Sequence, residues 1–119
     1  MRRDRLYLAD IVEACQSIGT FATGRTRADF DTDALLLSAI LHQLTIIGEA
    51  ASRISTEIRD RHPQIPWRQV AGMRNYVVHA YFSLDRDIVW ETVTAEVPKL
   101  RWDILQVSDA EFGQDDVIQ

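Results

Sequence analysis

The stretch Leu35-Leu36-Leu37-Ser38-Ala39-Ile40-Leu41-His42-Gln43-Leu44-Thr45-Ile46-Ile47-Gly48-Glu49-Ala50-Ala51 decides the fold. Leu37, Leu41, Leu44, Ile47, Ala51, Ile54 and Ile58 recur at helical spacing through three heptads. That spacing predicts one long helix from about Thr32 to Arg61. Asp31, Thr32 and Asp33 supply capping oxygens and favourable charge at its start. Gly48 interrupts the stripe at a propensity cost of ~1 kcal/mol relative to Ala. A residue that small at that point predicts close approach of another helix or a slight bend. His62-Pro63 ends the run, because the residue before proline is pushed out of the α region.

The same periodicity extends outward. A first helix is expected from about Arg3 to Ile18, with Leu8, Ile11, Val12, Cys15 and Ile18 as its stripe and Gly19 at its exit. A polar connector, Thr20 to Phe30, follows. Pro66 stands where a third helix can start, and that helix is expected to reach about His79. A fourth begins after Ser83-Leu84-Asp85 and carries Val89, Val93, Val97, Leu100, Ile104 and Val107. Pro98 inside it should bend it or remove one hydrogen bond. With no strand-period run, the expected class is all-α: an antiparallel four- to five-helix bundle with short connections.

At 119 residues the chain is one domain by length, with 46% hydrophobic residues and enough core to exclude disorder. Its formal charge of −5 argues against a dedicated high-affinity DNA binder. The distribution tempers that argument. Asp109, Glu111, Asp115 and Asp116 lie after Val107, and the rest of the chain holds 14 acids against 13 bases. The reading is a helical domain over 1–107 and a solvated acidic tail over 108–119. Twelve of the 13 bases are Arg, whose planar fork suits phosphate and carboxylate.

The lone cysteine, Cys15, falls on an apolar helical position and suits a reducing compartment. The basic N-terminus is not followed by the continuous apolar core of a signal peptide. The most apolar stretch, Ala34 to Ile47, is too short to span a bilayer. A soluble cytoplasmic protein without a membrane partner is expected.

The chain has no glycine-rich phosphate loop, His-Glu-x-x-His, Cys-x-x-Cys or Gly-x-Ser-x-Gly. No metal ligand set and no cofactor are expected. His62, beside Pro63, reads as solvated. His42 stands seven residues before Glu49 on roughly the same face, as a metal pair or as a core or interface histidine with a hydrogen-bonded partner.

The segment Arg74-Asn75-Tyr76-Val77-Val78-His79-Ala80-Tyr81 gathers a permanent cation, an amide, an imidazole and a phenol. On an α-helix Arg74 and Tyr81 share one face, while Asn75 and His79, four apart, can touch. Asn75 can then fix the tautomer of His79. Arg74 and His79 diverge by ~140° unless the helix loosens. Two copies about a two-fold axis can bring them into one cleft. Arg and His together suffice for metal-independent RNA cleavage. The imidazole serves as general base or acid, and the guanidinium stabilises charge on the phosphoryl oxygens. The competing reading is a packing face in which Tyr76, Val77 and Val78 are core and His79 is merely hydrogen-bonded.

Arg74-x4-His79-x-Tyr81 resembles the signature of the HEPN superfamily, specifically the HepT-like toxins. Ile47-Gly48-Glu49-Ala50, Ile65-Pro66-Trp67, Gly72-Met73-Arg74-Asn75 and Val97-Pro98 fit the same family, and the resemblance covers about Arg3 to Leu105. It implies a homodimeric HEPN bundle and a metal-independent endoribonuclease, the toxin of a type VII toxin–antitoxin module. Arg74 and His79 would be catalytic and Asn75 and Tyr81 supporting. Tyr81 would also be the residue to which an MNT-type nucleotidyltransferase antitoxin adds AMP. Glu49 would pair with an Arg of the site or only hold the bundle together. The alternative implied by the superfamily is a non-catalytic module that binds a nucleotide or a nucleotidyltransferase.

Overall fold

The structure, a computed structural model, describes residues 2–76 and 86–118, with side chains over 3–76 and 86–113. Every regular element in that range is helical, so the all-α expectation holds. The order is α1 (Arg2–Ala22), α2 (Asp29–Thr32), α3 (Ala34–Arg53), α4 (Thr56–Arg61), α5 (Trp67–Ala71), a 3₁₀ turn (Gly72–Asn75), α6 (Arg86–Glu91), a π turn (Thr92–Glu96) and α7 (Val97–Ile118).

Helices α1, α3 and α7 carry the bundle. Asp4 Oδ1 accepts from the Ser55 N–H at 2.8 Å, which places the start of α1 at the end of α3. Glu111 in the second half of α7 pairs with Arg61, the last residue of α4. Both long neighbours of α1 therefore run antiparallel to it. Leu8, Ile11, Cys15 and Ile18 from α1, Leu37, Leu41, Leu44 and Ile47 from α3, and Val97, Leu100, Ile104 and Val107 from α7 close one core. Each fully buried Leu or Ile contributes about 1.5–3 kcal/mol.

Element ends depart from the sequence reading for local reasons. Helix α1 runs four residues past Ile18, and Gly19 stays exposed within it. The exit glycine is Gly24, at φ +75°, where the left-handed backbone costs a glycine nothing. The long second helix is in fact two, α3 and α4, and its expected first residue, Thr32, instead ends α2. Asp33 caps α3 by accepting from the Leu36 N–H at 3.0 Å. Ile54 then turns extended, and Ser55 caps α4. Arg59 stitches that break, donating from Nε to the Ile54 carbonyl (3.0 Å) and from Nη2 to the Ser52 carbonyl (2.9 Å). Pro98 stands two residues past the π turn, as the second residue of α7, close to where the ladder is widened and a proline cannot donate.

The largest correction falls on residues 108–113 of the expected solvated tail. Helix α7 carries through to Ile118, Phe112 is buried, and Glu111 is only 11% exposed. Glu111 accepts from Arg61 Nε (3.0 Å) and Nη2 (2.6 Å), and its Oε2 lies 2.7 Å from His62 Nε2. His62 is accordingly paired rather than solvated. The Arg61 hydrogen bonds, with a further one from His62, hold the Glu111 carboxyl down at about 2.

Helix α3 also exceeds the span expected for its apolar stretch. At 20 residues it is long and apolar enough to cross a membrane by length and composition, but its stripe is committed to the core.

Candidate active site

The site begins at Gly48. A Cβ built on it would lie 2.5 Å from the Arg74 amide nitrogen and 2.7 Å from the Ala71 carbonyl oxygen. The missing side chain therefore lets the chain from Ala71 to Arg74 rest directly on α3, as the stripe's small residue predicted. Helix α5 reaches that contact because Trp67 is buried and anchored, its Nε1 donating to the His62 carbonyl at 3.0 Å.

From Gly72 the backbone tightens to a 3₁₀ turn instead of continuing as α-helix. Residues three apart then eclipse. Met73 is buried and Tyr76 half-buried, while Arg74 and Asn75 face solvent. The faces expected from an uninterrupted α-helix over this motif do not apply at its start. His79 and Tyr81 lie outside the described residues.

Glu49 follows Gly48 and meets Arg74. Arg74 Nη1 donates to Glu49 Oε1 at 3.2 Å. The other carboxylate oxygen, Oε2, lies 4.0 Å from Arg53 Nη2, one turn on. One acid thus stands between two guanidinium groups, and Arg74 and Glu49 are 44% and 47% exposed. The pair is open enough for an anion to compete for Arg74, and solvent limits its own strength to roughly 0–1 kcal/mol. Chemically the turn presents a positioned, solvent-facing cation suited to a phosphoryl oxygen. Arg53 escaped the sequence reading, although its place four residues after Glu49 on one helix face was signal enough.

Behind the turn a half-open cleft of about 550 Å³ runs between α5 and the 3₁₀ turn on one side and the π turn and α7 on the other. Met73, Tyr76 and Leu100 are among its apolar lining residues, and Glu96, Lys99 and Asp103 are among its polar ones. No sequence motif marks it, since its two walls are at least twenty residues apart. His42 is exposed on α3 rather than buried. Among the described residues no group of three or more His, Cys, Asp or Glu is placed to hold a metal ion.

Residues 11–107 match the family described as Ribonuclease HepT-like. The chain is 34% identical over 111 residues to a protein of Caldanaerobacter subterraneus subsp. tengcongensis described as a putative RNase, covering 93% of this chain and 99% of that one. It is 39% identical over 100 residues to a protein of Thermococcus cleftensis described as a probable ribonuclease HepT, covering 84% and 91%. A Methanocaldococcus jannaschii protein, again described as a putative RNase, is 32% identical over 116 residues, covering 97% and 96%. No solved structure matches the chain significantly.

Proposed function

This chain belongs to the HepT-like ribonuclease family of the HEPN superfamily, and from that membership we propose that it is a metal-independent endoribonuclease and the toxin of a type VII toxin–antitoxin module. The observation that carries the reading is Arg74, the first residue of the Arg-x4-His motif, held at the surface by Glu49 on a turn seated against Gly48.

In the proposed reaction the ribose 2′-oxygen attacks the adjacent phosphorus while the P–O5′ bond breaks. The products are a 2′,3′-cyclic phosphate and a free 5′-hydroxyl. His79 takes the 2′-OH proton or protonates the leaving oxygen, which typically contributes 10²–10⁴-fold. Arg74 binds the phosphoryl oxygens whose charge grows in the transition state. The nucleophile belongs to the RNA, so no metal-bound water is required. Asn75 supports His79. Glu49 holds Arg74 in place until a phosphate competes for it, and Arg53 balances the released carboxylate.

The working form is a homodimer whose two motifs line one cleft. The partner antitoxin is a nucleotidyltransferase. Its action on Tyr81 joins the phenol oxygen to the α-phosphorus of ATP and expels pyrophosphate. The added anionic nucleotide occupies the phosphate position beside Arg74 and repels RNA. Incubating the purified protein with RNA in excess chelator tests the reading: fragments ending in 2′,3′-cyclic phosphate are expected. Intact RNA at every protein concentration would instead favour the non-catalytic interaction module.

A further inference from the structure

The cleft behind the 3₁₀ turn belongs to no part of the reaction described so far, and it opens on the α7 side of the turn whose α3 side carries Arg74 and its partner Glu49. Met73 on the turn and Tyr76 just after it, three apart, line it, and Arg74 next to Met73 projects from a different face. Neighbouring Cα atoms are only about 3.8 Å apart. A nucleotide would have to reach round this one turn to place its phosphate at Arg74 and its base in the cleft.

The lining says which part of a nucleotide it suits. Met73, Leu100 and the Tyr76 ring give an apolar, partly aromatic surface of the kind that stacks unpaired bases. The rim carries two carboxylates, Glu96 and Asp103, against one ammonium, Lys99. Lys99 already donates to Asp103 at 2.9 Å. Glu96 has no ion-pair partner among the described residues. A rim with surplus negative charge repels phosphate and accepts a neutral group that donates hydrogen bonds. Glu96 closes the π turn, an irregularity concentrated at functional sites.

We propose that this cleft is a nucleobase subsite preferring guanine, with Tyr76 as the stacking surface and the Glu96 carboxylate as the reader. Guanine alone among the four bases offers two adjacent donors, N1–H and N2–H, which match both oxygens of one carboxylate. Adenine and cytosine offer a single amino group on that edge, and the uracil N3–H is flanked by carbonyls that a carboxylate repels. As an RNA subsite the proposal rests on the ribonuclease reading above, whereas occupancy of the cleft by the base does not.

Titration of the purified wild-type protein with each of the four nucleosides, followed by NMR of the Tyr76 and Met73 signals, tests it without any cleavage. Guanosine is expected to bind at least about tenfold more tightly than adenosine, cytidine or uridine. Glu96→Gln is expected to erase that preference with an unchanged circular dichroism spectrum, and Tyr76→Phe to keep it. Equal binding of all four nucleosides, no guanosine binding, or a preference that survives Glu96→Gln overturns the proposal. Guanosine binding in a protein that leaves RNA intact supports the guanine site while removing the ribonuclease reading. Cleavage with no guanosine binding does the reverse.

Discussion

Gly48 and Arg74 touch through their backbones: the space a Cβ on Gly48 would need is taken by the Arg74 amide nitrogen, 2.5 Å away. This contact fixes how deeply the motif's turn sits on α3, and it places Arg74 beside the carboxylate of the very next residue, Glu49.

Gly48→Ala is expected to push that turn outward. The obstructing atoms are the Arg74 amide nitrogen and Cβ and the Ala71 carbonyl oxygen, none of which can rotate away, so the cost should be about 1–3 kcal/mol. Urea denaturation reads the loss. RNA cleavage should fall by more than the folded fraction does, because the displaced residue is Arg74 itself.

Glu49→Gln separates position from stability. The pair is half-exposed, so the melting temperature should move by no more than a surface ion pair allows, roughly 0–1 kcal/mol. An unheld Arg74 should still attract RNA, leaving KM unchanged or lower. The kcat should fall on the order of tenfold to a hundredfold through misplacement. Steady-state kinetics on a short RNA at fixed salt distinguishes this from a purely structural role, in which kcat per folded molecule would not change.

Much of this was legible in the chain. Every residue of the stripe from Leu37 to Ile58 is buried, and so is the stripe from Val89 to Val107. The small residue at position 48 signalled the close approach that positions the site. The break at Ile54-Ser55 was hidden because Ile54 and Ile58 both face the core, so the apolar spacing passes unbroken through a point where a serine cap wins locally. The role of residues 108–113 was hidden for a different reason. Glu111 reads as one more acid in an acidic segment, and its partners Arg61 and His62 lie about fifty positions away in sequence. The cleft likewise exists only once α5 and α7 are packed.

Glu111 gives the fold an acid-sensitive clasp. Its folded value of about 2 lies below the ordinary 4.5, so its stabilisation is fully present above about pH 4.5 and is lost as pH falls towards 2. Glu111→Gln should lower stability at pH 7 by about 2 kcal/mol. The gap between variant and wild type should narrow steadily below pH 4.5 in a series of urea titrations. A gap that stays constant down to pH 2.5 would show that the stabilisation does not come from the ionised carboxylate pairing with Arg61 and His62.

Cys15 should be inert in the native state. Burial pushes its thiol up to about 12, against a smaller opposing effect of Arg101, so almost none is thiolate at neutral pH. A chromogenic disulfide reagent should titrate one thiol per chain promptly in denaturant and only slowly in its absence.

The central claim is that the Arg74–His79 motif cleaves RNA. The direct measurement is the cleavage rate in excess chelator for wild type, Arg74→Ala and His79→Ala, each verified as folded by circular dichroism. Measurable wild-type cleavage without metal is expected, with losses of about 10²–10⁴-fold for His79→Ala and Arg74→Ala comparably impaired. Wild-type rates retained in His79→Ala would contradict the claim.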